Sequence, residues 1–340
     1  MDFYEQGIAM RKMIAAAAIG LVVAGCSAAR RGEQARQEEL RGELVRLTAG
    51  FAGRVGIGVA DSSGVVCVRG EERFSLQSVM KLIVGMAAMD AVDGRGWTLD
   101  EEVVVRREDL SLYVQPLAKL GTAEGYRTTV GDLVRRAVVD SDSAAADVLV
   151  KRLGGPSVVE AFLKRKGIRG VRFDRDEKHL QTEIMGLEWR AEYVDPEALQ
   201  RAIDAVPEEV RDAAYRRYQV DERDTATPRG MAVLLEKLGQ GKLLSAGSTA
   251  FLLDVMRGTV TFPDRLKAGV PAGWTIGHKT GSSGSWKGVT AATNDVGILT
   301  APDGSRISVA VFVADTRVPL EERATLMAAA ARAVVASYGK

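Results

Sequence analysis

"FSLQSVMKLIVGMAAMDAV", residues 74–92, sets a serine and a lysine three positions apart at the head of an apolar run. A helix opening at Gln77 or Ser78 puts Ser78 and Lys81 on one face, a turn apart. Behind Lys81, the residues Leu82, Ile83, Val84, Met86, Ala87 and Met89 are apolar nearly all round, as in a helix buried in a domain core. A lysine at the mouth of such a helix is partly desolvated, which disfavours its charged form and suits it to act as a base. The same residues also fit a plain helix N-terminus followed by a lysine that snorkels to water. The pattern S-x-x-K is too loose to separate the two readings, so the decision falls to the rest of the chain.

The chain has 340 residues and 46% hydrophobic content, enough for one large or two medium domains with a real core. A net charge of +1 gives no electrostatic footing for a nucleic-acid partner. "MRKMIAAAAIGLVVAGCSAARRGEQ" carries Arg11 and Lys12, then an apolar stretch from Met13 to Ala24 that is short for a membrane span and suits an export signal. Val23-Ala24-Gly25-Cys26 resembles a bacterial lipobox, so 1–26 is expected to be a signal peptide with Cys26 as the lipid-anchored first residue of the mature chain. Cys67 then has no cysteine to pair with, and is expected as a buried strand residue. Two histidines and two cysteines without paired spacing offer no zinc site, so neither a metal nor another cofactor is expected.

Residues 31–50 are charged and helix-forming, with Leu40, Leu44, Val45 and Leu47 at helical spacing. "RVGIGVADSSGVVCVRG" reads as two strands about the turn Asp61-Ser62-Ser63-Gly64. From about 75 to 255 the pattern is mostly helical, with a break at Asp140–Ser143 and a stop at Gly154-Gly155-Pro156. Beyond 270, "GWTIGHKTG", "GVTAATNDVGILTAP" and "RISVAVFVAD" read as strands, and a last helix runs from about Leu320 to Tyr338. Strands at both ends with helices between predict an α+β fold: an antiparallel sheet with flanking helices, from 35–72 and 256–340, into which an all-helical domain, 73–255, is inserted.

Three further stretches give the opening pair its meaning: Ser141-Asp142-Ser143 in a break between helices, Lys279-Thr280-Gly281 at the end of a strand, and Glu177-Lys178-His179-Leu180-Gln181 in a polar stretch. Together with S-x-x-K they match the motif set of serine β-lactamases and penicillin-binding proteins. From about residue 40 onward the sequence resembles the class A serine β-lactamases. "LGGP" after the second motif, "DTATP" at 224–228 and "AGVPAGWTIGHKTG" before the third support this, as do Glu177 lying 36 residues after Ser141 and Lys279 lying 55 after Asp224. The resemblance implies a serine β-lactamase/penicillin-binding-protein-like fold and a monomeric, cofactor-free enzyme acting on a β-lactam. It implies Ser78 as nucleophile, Lys81 or Glu177 as the base for acylation, Glu177 as the base for deacylation, and Ser141 as proton donor to the departing nitrogen. Lys279, Thr280 and Ser282 would hold the substrate carboxylate, with support from Arg265, and the backbone N–H groups of Ser78 and Ser282 would form the oxyanion hole. Arg175 and Asp224 match the ion pair that closes the neck of the loop carrying Glu177. The alternatives are a D,D-peptidase or penicillin-binding protein, disfavoured by Glu177 and the "DTATP" match, and a β-lactam sensor that acylates and stops.

The sequence departs from the family at three places. Ser143 stands where the family has Asn, which removes an amide able to contact the substrate and the lysine. Gln181 replaces the Asn that helps hold the deacylating water. Between Gln181 and Asp224 lie 42 residues where the family has a short connection, an insertion at about 182–223. Within it, "DPEALQRAIDAVPEEVRDAAYRRYQ" reads as two amphipathic helices with Pro196 and Pro207 in first-turn positions, and Trp189, Tyr193, Tyr215 and Tyr218 are available to dock it beside the active site. His278, next to Lys279, points to the other face of its strand and is expected to be structural.

Overall fold

The computed structural model describes residues 31–339. The expected signal peptide and Cys26 lie outside the described residues. Helix α1 covers residues 31–48 and is followed by the hairpin β1 (Arg54–Asp61) and β2 (Gly64–Val68). After a short β3 (Phe74–Ser75), the chain runs through α2 (Met80–Gly94), a hairpin of β4 (Glu102–Val105) and β5 (Tyr126–Thr129), then α3 (Val130–Arg135), α4 (Ser143–Leu153), α5 (Pro156–Arg165) and α6 (Glu177–Ile184). The insertion supplies α7 (Pro196–Asp204) and α8 (Glu208–Val220). Then come β6 (Thr225–Ala226), α9 (Pro228–Gly239), α10 (Ala246–Arg257), β7 (Thr275–Ser282), β8 (Ser285–Trp286), β9 (Val289–Thr290), β10 (Thr293–Thr300), β11 (Arg306–Ala314) and α11 (Leu320–Tyr338).

The main sheet is antiparallel, in the order β2-β1-β11-β10-β7, so both ends of the chain build it. Alternation along β1 divides its faces. Val55, Ile57 and Val59 join Leu40, Leu44, Met327 and Val334 in a core under α1 and α11. The other face of β1 carries Gly56 and Gly58, and a Cβ at Gly58 would lie 2.1 Å from the Pro228 carbonyl oxygen, so the start of α9 packs directly on the strand. The larger core runs from Ala310 and Phe312 on that face through α9 and α10 to α2. Helix α2 is buried from Met80 to Met89, as its unbroken apolar run predicts. Each large aliphatic side chain there contributes about 1.5–3 kcal/mol by leaving water.

Three expectations need correction. Cys67 is in β2 but only half-buried, because β2 is the edge strand of the sheet. "GVTAATNDVGILTAP" is two strands, β9 and β10, since β9 pairs with β8 across the turn at Lys287-Gly288 and the chain then bends at Ala291-Ala292. Pro207 is the residue before α8 rather than in its first turn, whereas Pro196 does open α7.

Candidate active site

The nucleophile's turn comes first. Gln77–Val79 is a short 3-10 turn leading into α2, and Gln77 holds a left-handed φ of 46°. The turn is pinned from two directions: Asn294 Nδ2 donates to the carbonyls of Ser75 (2.8 Å) and Leu76 (3.0 Å), and the Leu76 N–H donates to the Asp224 carbonyl (2.9 Å). Strand β7 presses against it so closely that a Cβ at Gly281 would meet Leu76 O at 2.6 Å and Ser78 N at 3.2 Å. Only glycine allows that approach. Ser78 itself is half-buried, open enough to meet a ligand.

Lys81 lies one turn further on, almost wholly buried. Its Nζ donates to Ser78 Oγ (3.1 Å), the Ser141 carbonyl (2.7 Å) and Ser143 Oγ (3.0 Å), and stands 3.7 Å from Glu177 Oε1. The contact to Ser143 corrects one expectation: serine at that position keeps the bond to the lysine. Ser141 takes a left-handed φ of 59° between a π-helical turn and α4, while Asp142 caps α4 and accepts the Leu117 N–H. That kink turns Ser141 Oγ towards Lys279, whose Nζ donates to it at 2.9 Å. Burial, followed by the nearby Lys81 cation, holds the Lys279 ammonium well below the usual lysine range.

Behind β7, Arg265 is completely buried. It donates to Ser282 Oγ (2.7 Å) and to the carbonyls of Asn294 (2.9 Å) and Gly281 (3.3 Å), and stacks on Phe262 with 3.8 Å to the ring centre. Burial draws its pKa down to about 10. It is therefore no loose surface arginine; it braces the strand end that carries Ser282. The Thr280 hydroxyl is tied to that of Thr261 at 2.6 Å. His278, on the opposite face of β7 from Lys279, pairs with Asp295 at 2.9 Å.

Glu177 begins α6, with Oε1 accepting from Gln181 Nε2 (3.2 Å) and Oε2 buried without a protein partner. Its loop is closed at the neck by Arg175 and Asp224, 2.7 Å apart, and Asp224 also accepts the backbone N–H groups of Asp174 and Arg175. A second clasp was not foreseen. Asp147 of α4 accepts the N–H groups of Glu177 (2.8 Å) and Lys178 (3.2 Å) and the Ser111 hydroxyl (2.7 Å). Burial, with the charges of Asp176 and Glu177 adding to it, raises its pKa to about 7. An aspartate on the mostly apolar α4, six residues after Ser141, was the available signal.

The sequence-predicted residues Ser78, Lys81, Ser141, Ser143, Glu177, Gln181 and Lys279 thus form one cluster of hydrogen bonds and an ion pair, and Thr280, Ser282 and Arg265 adjoin it at the end of β7. Residues 38–338 match the sequence model of the Beta-lactamase enzyme family. The chain belongs to that family. It is 31% identical to the extended-spectrum β-lactamase PER-1 of Pseudomonas aeruginosa over 82% of this chain and 80% of that protein. It is 29% identical to the carbapenem-hydrolyzing β-lactamase KPC of Klebsiella oxytoca, over 87% and 88% respectively. Among solved structures, an ancestral class A β-lactamase superposes with a TM-score of 0.69 at 30% identity, covering 88% of this chain and all of that one. A β-lactamase from Chitinophaga pinensis does so with 0.71 at 28% identity, over 87% and 97%. This family member is a serine β-lactamase of class A.

Proposed function

We propose that the protein opens the β-lactam ring of penicillins and cephalosporins through a Ser78 acyl-enzyme and releases it by hydrolysis, which confers antibiotic resistance. Substrate carboxylate is held by Lys279, Thr280 and Ser282, with Arg265 bracing Ser282 from behind. Transfer of a proton from Lys81 to Glu177, across 3.7 Å, frees Nζ to take the Ser78 proton as Oγ attacks the carbonyl carbon. The N–H groups of Ser78 and Ser282 receive the oxyanion; one such donor is typically worth about 3–4 kcal/mol. The C–N bond breaks and Ser141 protonates the nitrogen, its own proton replaced by the one Lys81 took from Ser78, while Lys279 donates a hydrogen bond to Ser141 Oγ. Glu177 hands its proton back to Lys81 and, as the carboxylate, removes one from water; the water attacks the ester, and that proton passes to the departing Ser78 Oγ.

The observation that carries this reading is Glu177: a buried carboxylate beside Lys81 with one oxygen unpartnered, the base that a protein stopping at the acyl-enzyme would lack. Glu177→Gln should slow deacylation by about 10²- to 10⁴-fold. Mass spectrometry would then show the mass of opened β-lactam on Ser78, and a chromogenic cephalosporin would give a stoichiometric burst. Turnover at the unaltered rate would remove Glu177 from the mechanism.

The apolar stretch before Cys26 supports export followed by lipid attachment, leaving a monomeric enzyme at the cell envelope. Cys26→Ser should release the protein from membranes and abolish its labelling by a fatty-acid probe.

A further inference from the structure

The inserted helix α8 reaches the catalytic residues by a route outside the motif set. Tyr218 is buried, and its hydroxyl lies between Ser75 Oγ (2.8 Å) and the side-chain amide of Gln77. Gln77 in turn meets Gln181 at 2.9 Å, and Gln181 meets Glu177 Oε1 at 3.2 Å. Chemistry gives this line a direction. A carboxylate only accepts, so Gln181 must present its N–H₂ to Glu177. The same N–H₂ donates to Gln77 Oε1, which leaves Gln77 Nε2 to donate to the Tyr218 hydroxyl. The phenol ends the line as the acceptor of the Gln77 N–H₂, with its own proton free for Ser75 Oγ.

We propose that Tyr218 is a positioning residue for the general base: through Gln77 it keeps the Gln181 N–H₂ turned towards Glu177. The proposal rests on the reading of Glu177 as the deacylating base and deepens it, since the insertion then belongs to the machinery and is no mere surface addition. A hydrogen bond to a carboxylate favours its ionised form. When the line is broken, Gln181 can turn its carbonyl oxygen to Glu177, and the carboxyl group holds its proton to higher pH. The other charges around Glu177 are Lys81 from α2, Asp147 from α4, Lys279 from β7, and Asp176 and Lys178 beside it in the chain. From α8, Arg211 is turned to Met185 and Trp286. Removing the phenol oxygen alters none of these charges.

Tyr218→Phe keeps the ring and deletes the hydroxyl, and Gln77→Met breaks the line at its middle with similar volume. Stopped-flow measurement of acylation and deacylation across pH should show the acid limb of deacylation displaced upward by about one unit in both variants. On that limb the rate falls about tenfold, while the alkaline plateau and the acylation rate stay within about twofold. A limb that does not move in either variant overturns the proposal, whether the rate drops uniformly across pH or is unchanged. Should Tyr218→Phe fail to fold, Gln77→Met decides alone. Glu177→Gln in the same assay separates the two claims. If its acyl-enzyme clears normally, the base assignment and this proposal fall together. If it stalls while the limb stays put, only the role of Tyr218 is lost.

Discussion

The cradle around Ser78 and the insertion at about 182–223 both rely on buried hydroxyl groups, but to different ends. In the cradle, Ser78, Ser141 and Ser143 accept from two buried lysines, so each hydroxyl sits beside a movable proton. In the insertion, the phenol of Tyr215 accepts the Ala291 N–H (2.9 Å) and has one proton to share between the carbonyls of Val289 (2.9 Å) and Gly284 (3.1 Å), fastening α8 to the β8–β9 hairpin. Asp212 strengthens the same junction through Trp286 and Lys287. The cradle's hydroxyls are placed for chemistry and that of Tyr215 for attachment. The difference shows why a long added segment can lie against an active site without loosening it: Tyr215 and Asp212 tie it to backbone and side-chain groups of the β8–β9 hairpin.

Substitutions can break this contrast. The largest effect on stability is expected at the neck that joins the two regions. Arg175→Met leaves the buried Asp224 without its cation and should cost about 3–5 kcal/mol in a denaturant titration. Next is Asp147→Asn, in which the amide imitates the protonated acid. With the Asp147 pKa raised to about 7, against an ordinary 3.8, the folded state holds the proton more tightly than the unfolded one. Its contribution is therefore complete below about pH 4 and lost as pH rises towards 7. The variant lacks this loss. Its advantage over the parent should grow between those pH values, at no more than about 1.4 kcal/mol per unit, read as the difference in melting temperature on a pH series.

How much of this was legible beforehand differs between the two regions for a physical reason. Spacing reveals Ser78 and Lys81, and the family motifs carry Ser141, Glu177 and Lys279, because the chemistry admits few residue types at those points. Tyr215 and Tyr218 were visible only as aromatic material suited to docking. What their hydroxyls reach depends on the crossing of α8 over Gln77 and the hairpin, which no local pattern encodes. Asp147 was missed because a single carboxylate on α4 looks like any polar position until the loop above it is in place. The fold was legible in its main sheet and most helices, but not in the β4–β5 hairpin, which lies in the stretch read as mostly helical, nor where β9 turns into β10.

Two smaller effects sharpen the comparison. Tyr215→Phe strands the Ala291 N–H and should lower stability by about 1–3 kcal/mol, with acylation of a small penicillin nearly unchanged. Smaller still is the effect of replacing 188–205 with a short Gly-Ser linker. Gly186 and Val206 are close enough for such a bridge, since a Cβ at Gly186 would lie 3.5 Å from Val206. This removes α7, whose Leu199 and Ile203 pack with Tyr193 on Leu112, one residue before the exposed Tyr113. Relative rates across bulky cephalosporins should shift, with penicillin turnover within a few-fold. A substrate profile identical to the parent would make α7 mere ballast.

Because the Leu76 N–H is bonded to the Asp224 carbonyl, the nucleophile and the neck of the loop share a joint. A drug-resistance lineage starting from this enzyme would find that route to a roomier cleft closed. Loosening the loop there disturbs the serine it serves, so adaptation to larger antibiotics would have to come from segments that do not share this joint.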